Sequence, residues 1–387
     1  MGEPAARYDV VVIGGGAIGS AVACFLLRKP GFDGRVAIVE RDPTYRRASS
    51  ALSASSIRQQ FSTPENIRMS QFGFAFLREL EAEVGLQERG YLYLAPVGGA
   101  ATLREINAVQ RAEGAKVALL GPDELAGRFP WMSVDEVAAA ALGLEGEGWF
   151  DGFGLLQALR RRAIDHGAEY IRDEAIGLER AAGRIHRVRL ASGRLIAAGT
   201  VVNAAGPWAR QVAAMAGIDL PVEARRRCVF VFDARTELPG CPLVVDTSGI
   251  WFRPEGDSFI CGASPPAADD EDGLPLEVAW HEFEDLLWPA LAARVPAFDA
   301  IKLVRAWAGY YEFNTFDRNA ILGPHPDVPN LLFANGFSGH GIQHAPAVGR
   351  AIAELVVDGR FTTLDLSVFG YERLLDGRPV VERNVIG

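Results

Sequence analysis

At 387 residues, 49% hydrophobic and 23% charged, the chain is long enough for two packed regions. A net charge of −10 with no long basic stripe excludes nucleic acid as a partner. The four cysteines, Cys24, Cys228, Cys241 and Cys261, lack CxxC or metal-ligand spacing, so the expectation is a reduced, soluble, cytoplasmic protein without a metal.

Residues 8–19 open the chain's organisation. An apolar strand, Tyr8 to Ile13, runs into Gly14, Gly16 and Gly19, the G-x-G-x-x-G spacing of a dinucleotide-binding turn. Gly14 permits the sharp turn, Gly16 the approach of a pyrophosphate, and Gly19 the close packing of the following helix on its strand. A second apolar strand, 36–39, ends in Glu40, placed to accept from ribose hydroxyls and unfavourable to a 2′-phosphate. Residues 10–27 carry no charge, but the glycine turn divides them into strand and helix, so no membrane span is expected. Acidic Glu3 and Asp9 before this run, with no small-residue cleavage site after it, argue against a signal peptide.

A serine-rich polar stretch, 46–56, leads to Arg58. Thr63 and Pro64 then start a helix expected over 64–83, with Thr63 as its cap. Strand alternation follows at 90–96, a short helix at 121–125, a helix over 151–166 and a strand at 168–171. Strands at 176–180, 184–190 and 194–198 form a meander through Ala182-Gly183 and Ser192-Gly193 turns. A further buried strand, 200–206, ends in small residues suited to ligand approach. Strand patterns dominate 223–305. Near the end, a buried strand at 330–334 enters Asn335-Gly336-Phe337-Ser338-Gly339-His340-Gly341-Ile342-Gln343, and a helix follows from about 345 to 358. Three strands ending in glycine-bearing turns, far apart in sequence, point to one long cofactor such as FAD in a discontinuous domain.

These motifs, with Val202-Asn203-Ala204-Ala205-Gly206-Pro207-Trp208 between them, resemble the glycine oxidase, sarcosine oxidase and D-amino-acid oxidase family of FAD-dependent oxidoreductases. Residues 53–66 and the stretch Trp307 to Thr315 are most similar to the FAD-dependent oxidoreductase domain-containing proteins. The resemblance implies an α/β protein. Its Rossmann-like FAD-binding domain would comprise residues 1–85, 146–222 and 306–387. A discontinuous α+β substrate domain on a large antiparallel sheet would comprise 86–145 and 223–305. It also implies roles. Gly14, Gly16, Ala17, Ile18 and Gly19 would hold the pyrophosphate, and Glu40 the adenosine ribose, with Arg41 beside it. Ser49, Ser50 and Ser53 would line the flavin side, Ile176 would meet adenine through its backbone, and Ala205 and Gly206 would complete the cradle. Gly339, His340, Gly341, Ile342 and Gln343 would approach the flavin, where helix-start amides stabilise negative charge on the reduced ring.

For substrate, the resemblance points to Arg58 as a carboxylate grip, with Arg253 as an alternative and Trp251 and Tyr311 as an aromatic wall. His340 is a further candidate near the flavin, its alternative being to shape the turn. The chain also departs from the pattern. Gln343 stands where sarcosine oxidases have lysine, Tyr310 where they attach flavin through cysteine, and Tyr311 where glycine oxidases place a carboxylate-binding arginine. FAD is therefore expected to be non-covalent. The leading expectation is oxidation of an amino acid or secondary amine, most simply an N-substituted glycine, by a monomer using O2. The rivals are an FAD dehydrogenase of a 2-hydroxy acid or amino acid that passes electrons to a carrier, and a non-catalytic FAD-binding assembly factor. The absence of an Arg-rich, acid-poor leader favours a bacterial-type soluble enzyme over the last.

Overall fold

The structure, a computed structural model, describes residues 6–383; Glu3 lies outside them. Two eight-stranded sheets organise the chain. In the first, the strand order is Ile321–His325, Val328–Asn335, Leu195–Asn203, Arg7–Ile13, Val36–Glu40 and Glu169–Arg172, with the hairpin Ala175–Ala181/Arg184–Leu190 branching from Leu195–Asn203. The five strands from Val328–Asn335 to Glu169–Arg172 are parallel, and Ile321–His325 closes one edge antiparallel. From Val10 to Ile13, alternate residues enter opposite cores. Val10 and Val12 pack against the helices Ala17–Arg28, Pro64–Glu79, Gly152–Asp165 and Gly341–Asp358. Tyr8, Val11 and Ile13 pack against the hairpin and the helix Ala209–Ala214. Burial on both faces explains why these strands read as continuous apolar runs.

Four local expectations change. Residues 194–206 do not hold two strands. One strand, Leu195–Asn203, passes through Gly199, whose missing Cβ would stand 2.9 Å from the Asp9 carbonyl oxygen. That glycine serves close strand approach, not a break. The helix Pro64–Glu79 ends at Leu80, and a separate turn, Glu81–Val84, closes on Gly85 at φ +55°. The Thr63 side chain makes no capping bond. Glu382 accepts instead from the Ser62 and Thr63 amides and from Asn66 Nδ2, at 2.7, 3.1 and 2.7 Å. The last long helix begins at Gly341, before the apolar repeat that marks its body, because its first turn carries one apolar residue, Ile342, among glycine and polar ones.

The second sheet runs Ile301–Asn314, Val222–Ala234, Ser258–Gly262, Trp251–Glu255, Leu243–Val245, Tyr91–Ala95, Ala139–Gly143 and Val117–Leu120. Its neighbours are antiparallel except Leu243–Val245 against Tyr91–Ala95. Here too alternation sorts the faces. Cys228, Phe230 and Phe232 pack outward against Phe283, Leu287, Leu291 and Phe298. Val229, Val231 and Ile260 face Ala54, Trp251 and Trp307 on the inner side. Among the described residues no helix is long and apolar enough to cross a membrane.

Candidate active site

A cavity of about 580 Å³ lies between the two sheets. Its floor is the set of strand ends of the parallel sheet. Gly14 turns at φ +101°, and an added Cβ would meet the Ala204 carbonyl oxygen at 2.3 Å. At Gly19 the same atom would meet the Gly14 carbonyl oxygen at 1.9 Å, so the helix and strand are in contact through backbone. Gly16 lies beside Ser50 Oγ, which accepts from the Ala17 amide at 3.3 Å. Glu40 is fixed by two amides, accepting from Gly15 N and Asp42 N, each at 2.8 Å. Its neighbour Arg41 lies 3.9 Å over the Trp208 ring and pairs with Glu174.

Gly14, Gly16, Ala17, Ile18, Glu40, Arg41, Ser49, Ser50, Ser53, Ala205, Gly206, Gly339, Gly341 and Ile342 all line this one cavity. Gly19 supports it from behind. Ile176 is half-exposed and outside the lining, although its neighbour Ala175 contributes. The arrangement fits FAD on its own evidence. The floor is a cradle any side chain would fill, Ser49 Oγ is buried without a partner, and a carboxylate stands at the second strand end. Such a cradle, backed by a helix start, suits a pyrophosphate.

The roof supplies Arg227, Cys228, Val229, Trp251, Ala263, Ser264, and the run from Gly309 to Glu312. Trp251 and Tyr311 therefore meet the floor across one space. The Tyr311 ring lies against Gly339, where a Cβ would come within 2.6 Å. Arg58, Arg253, His340 and Gln343 are buried outside the lining. Gln343 Oε1 accepts from the Arg58 amide at 2.8 Å, and Arg58 Nη2 reaches His340 Nε2 at 3.1 Å. Arginine can only donate, so Nε2 accepts and the His340 proton sits on Nδ1. Burial, reinforced by the Arg58 charge, holds His340 well below its ordinary pKa and takes His344 down to about 3, keeping both rings neutral. The Arg58 guanidinium also lies 4.4 Å over the Phe61 ring. Arg253 donates to the carbonyls of Pro254 and Ala54, pairs with Glu255 and stacks on Trp149.

Two lining residues had not been singled out in the sequence. Arg227 is buried, directs both Nη atoms to Asp270 at 2.7 and 3.0 Å, lies 5.1 Å over the Tyr311 ring, and leaves Nε without a partner. Glu312 is buried at 8% exposure, and one carboxyl oxygen accepts from Gly336 N at 3.2 Å. Burial pushes its pKa up to about 8, with the Gly336 amide pulling the other way. Arg227 ends a triple-arginine run, and Glu312 lies within the Trp307 to Thr315 stretch. Only strand pairing shows that both reach the cavity.

Comparison with known proteins identifies the family. A profile described as FAD dependent oxidoreductase matches residues 9–355. The chain belongs to that family. It is 43% identical to FAD-dependent oxidoreductase domain-containing protein 1 of Xenopus laevis, over 99% of this chain and 86% of that protein. Glycine oxidase of Geobacillus kaustophilus is 30% identical, covering 95% of this chain and 97% of its own. The crystal structure of L-proline dehydrogenase from P. horikoshii superposes with a TM-score of 0.87 at 27% identity, covering 97% of this chain and all of that one. This flavoenzyme is thus an FAD-dependent oxidoreductase with the family's α/β fold.

Proposed function

We propose that this flavoenzyme oxidises the C–N bond of an amino acid or secondary amine whose nitrogen lies next to a carboxylate-bearing carbon. The observation that carries this reading is one cavity joining the glycine cradle to an aromatic chamber, with the guanidinium of Arg227 in its wall. FAD, when bound, supplies a two-electron acceptor for the substrate's α-hydride. The chain's own groups position the substrate. Trp251, Val229 and Tyr311 enclose its apolar part and exclude water. Arg227 offers its Nε–H edge to the carboxylate, while Asp270 holds the Nη pair. Loss of the hydride from the neutral amine leaves an iminium, which water hydrolyses to a carbonyl product and the freed amine. No cavity-lining base is needed for an amine bound neutral.

Two of the relatives named above are a glycine oxidase and an L-proline dehydrogenase, and both named substrates are α-amino carboxylates. Proline is a secondary amine, which supports a substrate with a substituted nitrogen. Within this reading, the expected division into cofactor segments and substrate-covering segments moves at one boundary: the strand Ile301–Asn314 lies wholly in the roof sheet, so the cut expected at 306 falls after it. FAD is held non-covalently: Tyr310 uses its hydroxyl on the Leu274 carbonyl, and the Cys228 thiol turns to the outer face of the roof, where it accepts from Ala279 N. The protein works as a monomer with O2 as acceptor. A carrier is the second reading, favoured by Gln343, which brings no cation and spends its side-chain oxygen on the Arg58 amide.

Anaerobic mixing of the yellow holoprotein with N-substituted glycines, proline and glycine tests the proposal. Bleaching of the flavin by at least one of them is expected, and readmitted air then separates oxidase from carrier-linked turnover. A flavin that dithionite bleaches but no amino acid does would overturn it.

A further inference from the structure

The Glu312 carboxyl has no part in the reading above, yet it lines the cofactor cavity. It extends from the last roof strand, Ile301–Asn314, toward the loop that precedes the helix Gly341–Asp358. One oxygen is engaged by the Gly336 amide. The other, Oε1, stands 3.2 Å from where a Gly341 Cβ would be, at the first residue of that helix, and receives no hydrogen bond from the described residues. The loop is itself fastened to this residue, since Ser338 N donates to the Glu312 carbonyl at 3.0 Å. The helix dipole favours negative charge at this helix start, but in a cofactor cavity an ionised carboxylate competes with the reduced ring for that place, whereas a neutral one assists it. Ionised, it would repel the electron density a flavin gains; neutral, it adds an O–H donor to the helix-start amides.

We propose that Glu312 belongs to the cofactor site, where its carboxyl O–H donates to the flavin and helps to hold the negative charge of the reduced ring. This assignment does not depend on whether the electrons come from an amine or another donor. Its surroundings supply no compensating charge. Opposite it on the neighbouring strand is Ala224, whose flanking Glu223 and Arg225 pair with each other. On the loop side, His340 is neutral and turned to Arg58. Among the described residues no cation holds the carboxylate form, and burial pushes the carboxyl pKa up to about 8.

Sulfite addition to the holoprotein's flavin reports this without turnover, because the adduct carries the same extra negative charge on the ring. In the wild type the sulfite Kd, corrected for sulfite ionisation, should hold steady from pH 6 to 7.5 and rise steeply above 8. Glu312→Gln keeps a donor and cannot ionise, so its Kd should stay flat across that range. Glu312→Leu removes the donor and should weaken sulfite about tenfold at pH 6.5. The flavin's midpoint potential should follow the same pattern, with a downward break near pH 8 only in the wild type. A wild-type profile without that break, or Glu312→Gln retaining it, would overturn the proposal. Failure of every amino acid to bleach the flavin would leave these profiles unaffected, so the two readings fail separately.

Discussion

On the floor of the cavity, Gly14, Gly16, Ala205 and Gly341 present mainly backbone; on its roof, Arg227, Val229, Trp251 and Tyr311 present side chains. The floor is built from strand ends and a helix start whose positions are fixed by parallel pairing, and at Gly14 and Gly19 an added Cβ would collide with backbone. Backbone amides and a helix start recognise what is common to all dinucleotides, the phosphates. The roof is built from antiparallel strands whose inner faces can change residue by residue without disturbing the pairing. Cofactor binding therefore sits on the part of the molecule least tolerant of substitution, and substrate choice on the part most tolerant of it.

The sharpest break of that contrast is at Gly14. Alanine there must adopt φ +101° and meets the Ala204 carbonyl oxygen at 2.3 Å, so the turn has to open. Gly14→Ala is expected to weaken FAD by about 100-fold or more, the equivalent of roughly 3 kcal/mol. The flavin-to-protein ratio after gel filtration measures it, and a stoichiometric ratio would show that the floor does not bind through this turn.

Arg227 should give the opposite profile. Arg227→Met is expected to leave FAD bound and to raise the substrate Kd of the reductive half-reaction by about 30-fold, as for loss of a charge-assisted hydrogen bond. Asp270→Asn is the control. It disturbs the same ion pair but leaves the guanidinium in place, so a role confined to fastening the loop would make the two variants alike, whereas carboxylate binding predicts that only Arg227→Met loses affinity.

The same contrast explains what was legible in the sequence. The floor's spacing is local: Gly14, Gly16, Gly19 and Glu40 lie within one βαβ unit, so their order along the chain nearly fixes their order in space. The family and its cofactor followed from such motifs. The roof depends on parity and register. Arg225, Arg226 and Arg227 are indistinguishable in a string, and only the pairing of Val222–Ala234 with Ser258–Gly262 and Ile301–Asn314 turns Arg227 inward. Arg58, His340 and Gln343 mark the reverse case. Their motifs were recognisable, but no motif states that these side chains bond to one another rather than to the cavity. Gly199 misled for a related reason, since a glycine needed for contact between strands reads in sequence like one needed for a turn.

The smallest expected effect is also the most specific to the roof. Gly262 pairs with Trp251, and the indole lies directly on it: a Cβ at Gly262 would stand 2.8 Å from Trp251 Cζ2 and 2.9 Å from the Cys228 carbonyl oxygen. The backbone oxygen is held in the sheet, so the ring is the partner that moves, and its free direction is into the cavity. Gly262→Ala should therefore shrink the chamber, whereas Trp251→Phe should enlarge it. Hydrophobic pockets discriminate by about 1–3 kcal/mol per group, so shifts of about tenfold in opposite directions are expected in the preference between small and bulky N-substituents. Flavin reduction rates with a graded series of N-alkyl glycines measure both. Equal shifts in the same direction would mean that Trp251 supports the roof without bounding the substrate. Opposite shifts at unchanged FAD content would separate the two layers of the site by function.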